Sequence, residues 1–322
     1  MQGFYDEGGA AMAEALIPSQ TGARARTTLD LTSRRRLWNR VTYVVFAACA
    51  IALVVFIAAI ILFIGSKGLT TFIQNHVSIT QFLFSKVWQP NENPAAYGAA
   101  TFIVGSLEVT VLAILISAPL SIAAALFLTE VGPKWAQSVL QPAVELFVGI
   151  PSVVYGWVGL SVLVPLIRNH IGGLGFSLLA GCIVLSIMAL PTITTVATDS
   201  LRALPVGLKE ASYGLGATRW QTLARVLLPA ALPGLMTAVI LGMARAIGEA
   251  LAVQMVIGNT EIISKHLTDR AATLTSIITL DMGNTVGGTA WNNSLWSMAM
   301  LLLLIALALI LAIRVVSARK VY

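Results

Sequence analysis

Long uninterrupted apolar runs dominate this chain, and short polar stretches separate them. A helix needs about 20 apolar residues to cross the hydrocarbon core of a bilayer. Six stretches meet that demand: Val41–Ile64, Phe102–Leu128, Val139–Ile167, Ser177–Thr198, Ala230–Ile257 and Leu295–Ile313. The third is interrupted by Gly149, Pro151, Gly156, Gly159 and Pro165, so it reads as one kinked helix or two broken pieces. The polar stretches differ in character. Residues 1–40 are poor in large apolar side chains and read as a mostly disordered tail. The loops 65–101 and 258–294 are longer than ordinary connections, and loops of that length commonly carry function.

Composition agrees with the pattern. Of 322 residues, 57% are hydrophobic and only 11% charged, against about 25% charged in a typical soluble domain. The net charge of +6 could suit nucleic acid, but its distribution argues for a membrane topology instead. With the N-terminus placed inside, fourteen Lys and Arg fall on the inner side. Five (Lys67, Lys86, Arg168, Lys265, Arg270) fall on the outer side, and Arg245 lies within a span. Basic residues concentrate on the cytoplasmic side of membrane proteins, so both termini are expected there and no nucleic-acid partner is implied. Cys49 and Cys182 both sit in apolar runs, giving no disulfide framework. His76, His170 and His266 share no ligand spacing, so neither a metal centre nor a catalytic residue is expected.

Residues 199–229 separate the fourth and fifth spans. Leu201, Leu204 and Leu208 recur at helical spacing, and so do Trp220, Leu223, Val226 and Leu227. Gly214 and Gly216 permit a turn between the two short amphipathic helices, with Pro205 near a boundary. Within this stretch stand Glu210, Ala211 and Ser212, then Gly216 four residues on, then Val226, Leu228 and Pro229. That arrangement resembles the E-A-A signature of ABC import permeases, with Ser212 in place of the second alanine and Val226 in place of isoleucine.

Three further blocks resemble the phosphate-specific permeases of the PstC type. They are Trp88-Gln89-Pro90 with Tyr97-Gly98, the run from Glu145 through Ile150-Pro151-Ser152 to Tyr155-Gly156, and the run from Arg245 through Gly248-Glu249 to Gly258-Asn259. The resemblance covers roughly residues 85–316. It implies an all-α membrane protein with the six transmembrane helices of a type I ABC importer permease and cytoplasmic coupling helices. The implied organisation is a cytoplasmic tail (1–40), a first transmembrane helix (41–64) and an external loop (65–101). A permease core (102–316) containing the coupling segment 199–229 follows, then a short cytoplasmic tail (317–322). It further implies that Glu210, Ala211, Ser212, Gly216, Val226, Leu228 and Pro229 dock on a separate ATPase. That ATPase dimer (PstB type) would hold ATP and Mg, since this chain has no G-x-x-x-x-G-K-[ST] phosphate loop. A related second permease (PstA type) and a phosphate-binding protein (PstS type) complete the implied machine, in the plasma membrane and among its lipids. The chain is then a transport subunit and not an enzyme.

The charges inside the spans are the remaining candidates. Arg245 and Glu249 stand four residues apart in the fifth run, so they are expected on one helical face, where they can neutralise each other. A charge at the bilayer centre costs about 2.5–3.5 kcal/mol, so such residues are seldom kept without a task. The pair is either a structural link between helices or part of an anion pathway, in which the planar Arg245 fork meets oxyanion oxygens. Glu108 and Glu145 are the other carboxylates within spans, and either could reach Arg245 from a neighbouring helix. Rival readings are a permease for another oxyanion such as molybdate or sulfate, an ion-coupled carrier, or a signalling scaffold.

Overall fold

The computed structural model describes the backbone of residues 21–318 and the side chains of residues 38–315. Among the described residues, six helices are long and apolar enough to cross a membrane. They are Trp38–Ile73, Ala100–Val131, Ser152–His170, Leu178–Arg202, Arg219–Ile247 and Ala290–Val315. The chain divides into two units, Met1–Leu62 and Phe63–Tyr322. Within the first unit, the described residues are the leading part of helix α1 (Thr21–Ile73), whose apolar side chains from Val41 to Leu62 are mostly exposed. This helix reaches twenty residues further back than the expected Val41. The expectation of disorder lies outside the described residues over 1–20, and so does the C-terminal tail over 319–322.

The second unit opens with the end of α1, then α2 (Ile79–Phe84) and a small hairpin, β1 (Trp88–Gln89) and β2 (Ala96–Tyr97), paired antiparallel with Trp88 opposite Tyr97. Trp88 is buried against Phe102 with ring centroids 5.8 Å apart. Its indole N–H donates to Asp281 Oδ2 (3.2 Å), which also accepts from Trp291 (3.3 Å). Phe82, Trp88, Phe102, Leu274, Ile277, Leu295 and Met298 form one apolar cluster. The two long loops are therefore packed structure rather than open connections.

The remaining helices are α3 (Ala100–Leu126), α4 (Lys134–Gly149), α5 (Ser152–Val158), α6 (Val164–His170), α7 (Leu178–Arg202), α8 (Val206–Gly214) and α9 (Arg219–Thr222). After them come α10 (Leu228–Ile247), α11 (Leu251–Ile257), α12 (Leu274–Asp281) and α13 (Ala290–Ala318). Helix α7 is the centre, with 61% of its most apolar window buried against 6% for the last span. Its packing on α3 is the most extensive between any two helices. Small hydroxyl residues permit this closeness and tie the seam: Ser121 Oγ donates to the Leu190 carbonyl (3.0 Å) and Ser186 Oγ to that of Ala113 (3.1 Å).

Two expected spans are broken. The third ends as α4 at Gly149, because Pro151 has no N–H to donate and drives Ile150 to an extended backbone (φ −69°, ψ 129°). Of the two alternatives raised by the sequence, the broken one is observed. The fifth run begins earlier than Ala230, at Arg219, and is not a continuous helix to Ile257. It stops at Ile247 and resumes at Leu251, with Gly248, Glu249 and Ala250 between. Gly258 (φ 96°) then ends α11 in the left-handed conformation that glycine adopts without cost.

Candidate functional site

Two regions concentrate the candidate residues. The first is the elbow between α7 and α10. Pro205 precedes α8, and Gly216 (φ 80°) reverses the chain into α9, whose start is closed by a reciprocal cap between Thr218 and Gln221. A Cβ on Gly216 would meet nothing within 4 Å, so its glycine is required by backbone conformation and not by tight packing in this chain. Ser212, the residue standing where the signature has alanine, is buried and hydrogen-bonds Thr222 (Oγ to Oγ1, 2.9 Å), locking α8 to α9. Glu210, Ala211 and Gly216 are exposed, and so are the apolar side chains of Val206, Leu215 and Trp220 on the same elbow, with Leu215 90% exposed. Val226 and Leu228 are half-buried at the foot of α10, and Pro229 is exposed. A solvent-facing patch of that apolarity is what a docking surface presents.

The elbow is also fastened to the end of α3. Lys209 of α8 forms an ion pair with Glu130, in the π turn Phe127–Val131 that ends α3. Arg219 of α9 donates to the Glu130 carbonyl at 2.9 Å. Glu130 stands 79 residues from Lys209 and 89 from Arg219, so no local spacing announces either contact.

The second region is the break after α10. Arg245 and Glu249 do not form the i, i+4 pair that a continuous helix would allow. The helix ends between them, and the Lys209–Glu130 pair is the sole salt bridge among the described residues. Arg245 lies in the last turn of α10, where the exposed carbonyl end favours a cation. It donates to Thr192 Oγ1 on α7 at 3.3 Å and is half-buried. The Glu249 carboxylate accepts from the Ala252 N–H at the start of α11 (3.2 Å). Its backbone carbonyl accepts from Thr275 Oγ1 of α12 (2.9 Å). Each charge is thus met by a helix end instead of by the other, an arrangement that places irregular backbone and two ionisable groups at one point of the span.

The other two carboxylates lie elsewhere. Glu108 accepts from Ser264 Oγ at 2.5 Å and lines a cavity of about 440 Å³ with Lys265 and His266, at the end opposite the elbow. Glu145 is bonded by Gln141 (3.2 Å), whose own carbonyl takes Arg202 (2.7 Å), towards the elbow end. Neither pairs with Arg245. Outside the spans, Asp269 accepts from the N–H groups of Lys265 and His266 (2.9 Å each), which hold its carboxyl below the ordinary carboxylate value.

The sequence profile of the binding-protein-dependent transport system inner membrane components matches residues 117–321, which takes in α4 to α13, the elbow and the break. The chain belongs to that family. It is a multi-pass membrane subunit of a transport system and not an enzyme. The chain is 55% identical over 277 residues to the "Probable ABC transporter permease protein YqgH" of Bacillus subtilis, covering 86% of this chain and 90% of that one. It is 36% identical over 312 residues to the "Phosphate transport system permease protein PstC" of Mesorhizobium japonicum, covering 89% and 92%. Among solved structures, a bacterial ABC transporter for import of the polysaccharide alginate shares the fold. The TM-score is 0.62 at 17% identity, over 89% of this chain and all of that one. The expected permease architecture and the E-A-A resemblance are both upheld by this membership.

Proposed function

We propose that this chain is the permease subunit of an ATP-driven importer of inorganic phosphate. The observation that carries the substrate is the identity to a phosphate-named permease along nearly the whole chain, elbow and helix break included. The site is suited to such cargo. Arg245 offers a planar cation whose remaining N–H groups can take the oxygens of a tetrahedral anion in pairs, and Thr192 fixes its orientation. Glu249 stands near in sequence and carries the balancing charge when no anion is bound.

In this reading the exposed face of the elbow, with Glu210, Ala211 and Gly216, sits on an ATPase subunit in the cytoplasm, and both termini lie on that side. ATP and Mg belong to that partner. A second permease of related sequence completes the pathway, and a soluble phosphate-binding protein docks at the opposite end, over the packed loops around Trp88 and α12. Movement of the elbow opens the pathway to one side or the other, and the helix breaks at Pro151 and Gly248 are where the spans bend.

The test is uptake by the assembled transporter in liposomes that contain ATP. Radiolabelled phosphate should enter only with ATP and binding protein present, and arsenate should compete where sulfate and molybdate do not. Competition by sulfate or molybdate alone would overturn the phosphate assignment. Solute accumulation by this chain without an ATPase would overturn the permease reading as a whole.

A further inference from the structure

The elbow could be a lever joined to the bundle only through the ends of α7 and α10, which flank it in sequence. The side chains say otherwise. Ser212 and Thr222 join α8 to α9, and the Ala217 N–H closes the loop on the Ser212 carbonyl (3.2 Å), so the two short helices move as one piece. That piece holds Glu130 at two points: Lys209 grips its carboxylate from α8, and Arg219 grips its backbone carbonyl from α9. Glu130 is the better shielded partner, with 17% of its side chain exposed against 36% for Lys209, so the contact is partly removed from water.

We infer that Glu130 is a positioning residue for coupling, the point through which the elbow drives α3 as well as the two helices it connects. The inference rests on the proposed docking of the elbow to an ATPase. The turn that carries Glu130 is π-helical, and the Gly132 N–H reaches back to the Phe127 carbonyl at 2.7 Å. A second π turn, Leu223–Leu227, stands at the foot of α10 on the other side of the elbow. Such turns hold about one residue more than an α-helical turn and recur at functional sites. Displacement of the clamp would therefore rotate the end of α3. From α3 the displacement passes to α7 through their hydroxyl-tied seam, and α7 carries Thr192, the hydrogen-bond partner of Arg245. The clamp thus gives ATPase movement a continuous path to the break in the fifth span.

The measurement is the amount of anion imported per ATP hydrolysed, by the complete transporter in liposomes, for Glu130→Gln, Lys209→Met, the double variant and Lys209→Arg. Each single change should lower the ratio about fivefold, which corresponds to about 1 kcal/mol, the scale of a favourable partly exposed ion pair. The double variant should be no worse than either single one, because the two residues act as one contact. Lys209→Arg should keep the wild-type ratio. Single variants at the wild-type ratio, or a double variant whose loss is the product of the two, would overturn the clamp. The ratio is read relative to wild type with whichever oxyanion the transporter carries, so an error in the substrate cannot imitate a failure of the clamp. Absence of ATP-dependent import in the wild type would refute the docking reading itself.

Discussion

Replacing Arg245 by glutamine separates the two roles that the span charges could play. Removal of one member of a buried ion pair leaves the other charge uncompensated and costs about 3–5 kcal/mol, enough to prevent assembly. Arg245 is in no such pair: its recorded contact is the 3.3 Å hydrogen bond to Thr192, and Glu249 is held by the Ala252 N–H. Loss of that long hydrogen bond costs about 0.5–1.5 kcal/mol. Removing a cation from the membrane interior returns about 2.5–3.5 kcal/mol on insertion scales, less whatever the half-exposed position already recovers. The two terms oppose each other, and the variant should fold and assemble about as well as the parent.

Transport should respond quite differently. A guanidinium that binds an oxyanion by two charge-assisted hydrogen bonds loses about 3 kcal/mol when glutamine takes its place, or about 100-fold in kcat/KM. The assay is the initial rate of radiolabelled phosphate uptake against concentration, in liposomes containing the full transporter, with the monodisperse fraction and thermal midpoint recorded for each variant. A normal midpoint with a 100-fold loss supports the anion path. Wild-type uptake by Arg245→Gln would refute it. A variant that fails to assemble, but is rescued by adding Glu249→Gln, would show that the two charges are a structural pair after all.

Other consequences follow from particular contacts. Thr222 already donates to the Thr218 carbonyl (3.1 Å), so its partner Ser212 must supply the hydrogen of their shared bond. Ser212→Ala then orphans no donor and should cost under about 1 kcal/mol. Thr222→Val strands the buried Ser212 hydroxyl and should cost about 1–3 kcal/mol, read as faster amide exchange across 213–217. A Cβ on Gly156 would lie 2.8 Å from the Ala252 Cα, whereas one on Gly149 meets nothing within 4 Å. Gly156→Ala should therefore destabilise by about 1–3 kcal/mol and Gly149→Ala should not, in thermal inactivation of the purified subunit. The Asp269 carboxyl, lowered by the Lys265 and His266 N–H groups, supports its loop at any pH above its unfolded value of about 3.9. That support is lost as pH falls through the lower folded value. Asp269→Asn should reproduce the loosened loop at neutral pH, seen as faster trypsin cleavage after Lys265.

The features legible in the sequence are those that side-chain chemistry alone decides. Apolar runs located all six crossings, because lipid solvation sums over residues whatever the backbone does between them. The elbow was legible for a different reason: it is local, with Gly216 and the flanking amphipathic turns within thirty residues of one another. Where backbone geometry or distant partners decide, the sequence was silent. Gly248 interrupts a run that hydropathy reads as unbroken, since a glycine counts as mildly apolar in such a sum whether the helix continues or stops. Pro151 showed because its missing N–H is a property of the residue; the stop at Ile247 did not, because it depends on helix ends meeting Arg245 and Glu249 separately. The same limit hid Thr192, 53 residues from Arg245, and Glu130, 79 from Lys209. Thr192 gives Arg245 a satisfied position within a span, Glu130 gives Lys209 one at the elbow, and neither makes sense until the fold brings it there. The residues that link the elbow to the break are thus the ones a reading of periodicity and composition must miss, because a coupling path is made of contacts between spans and not of patterns within them.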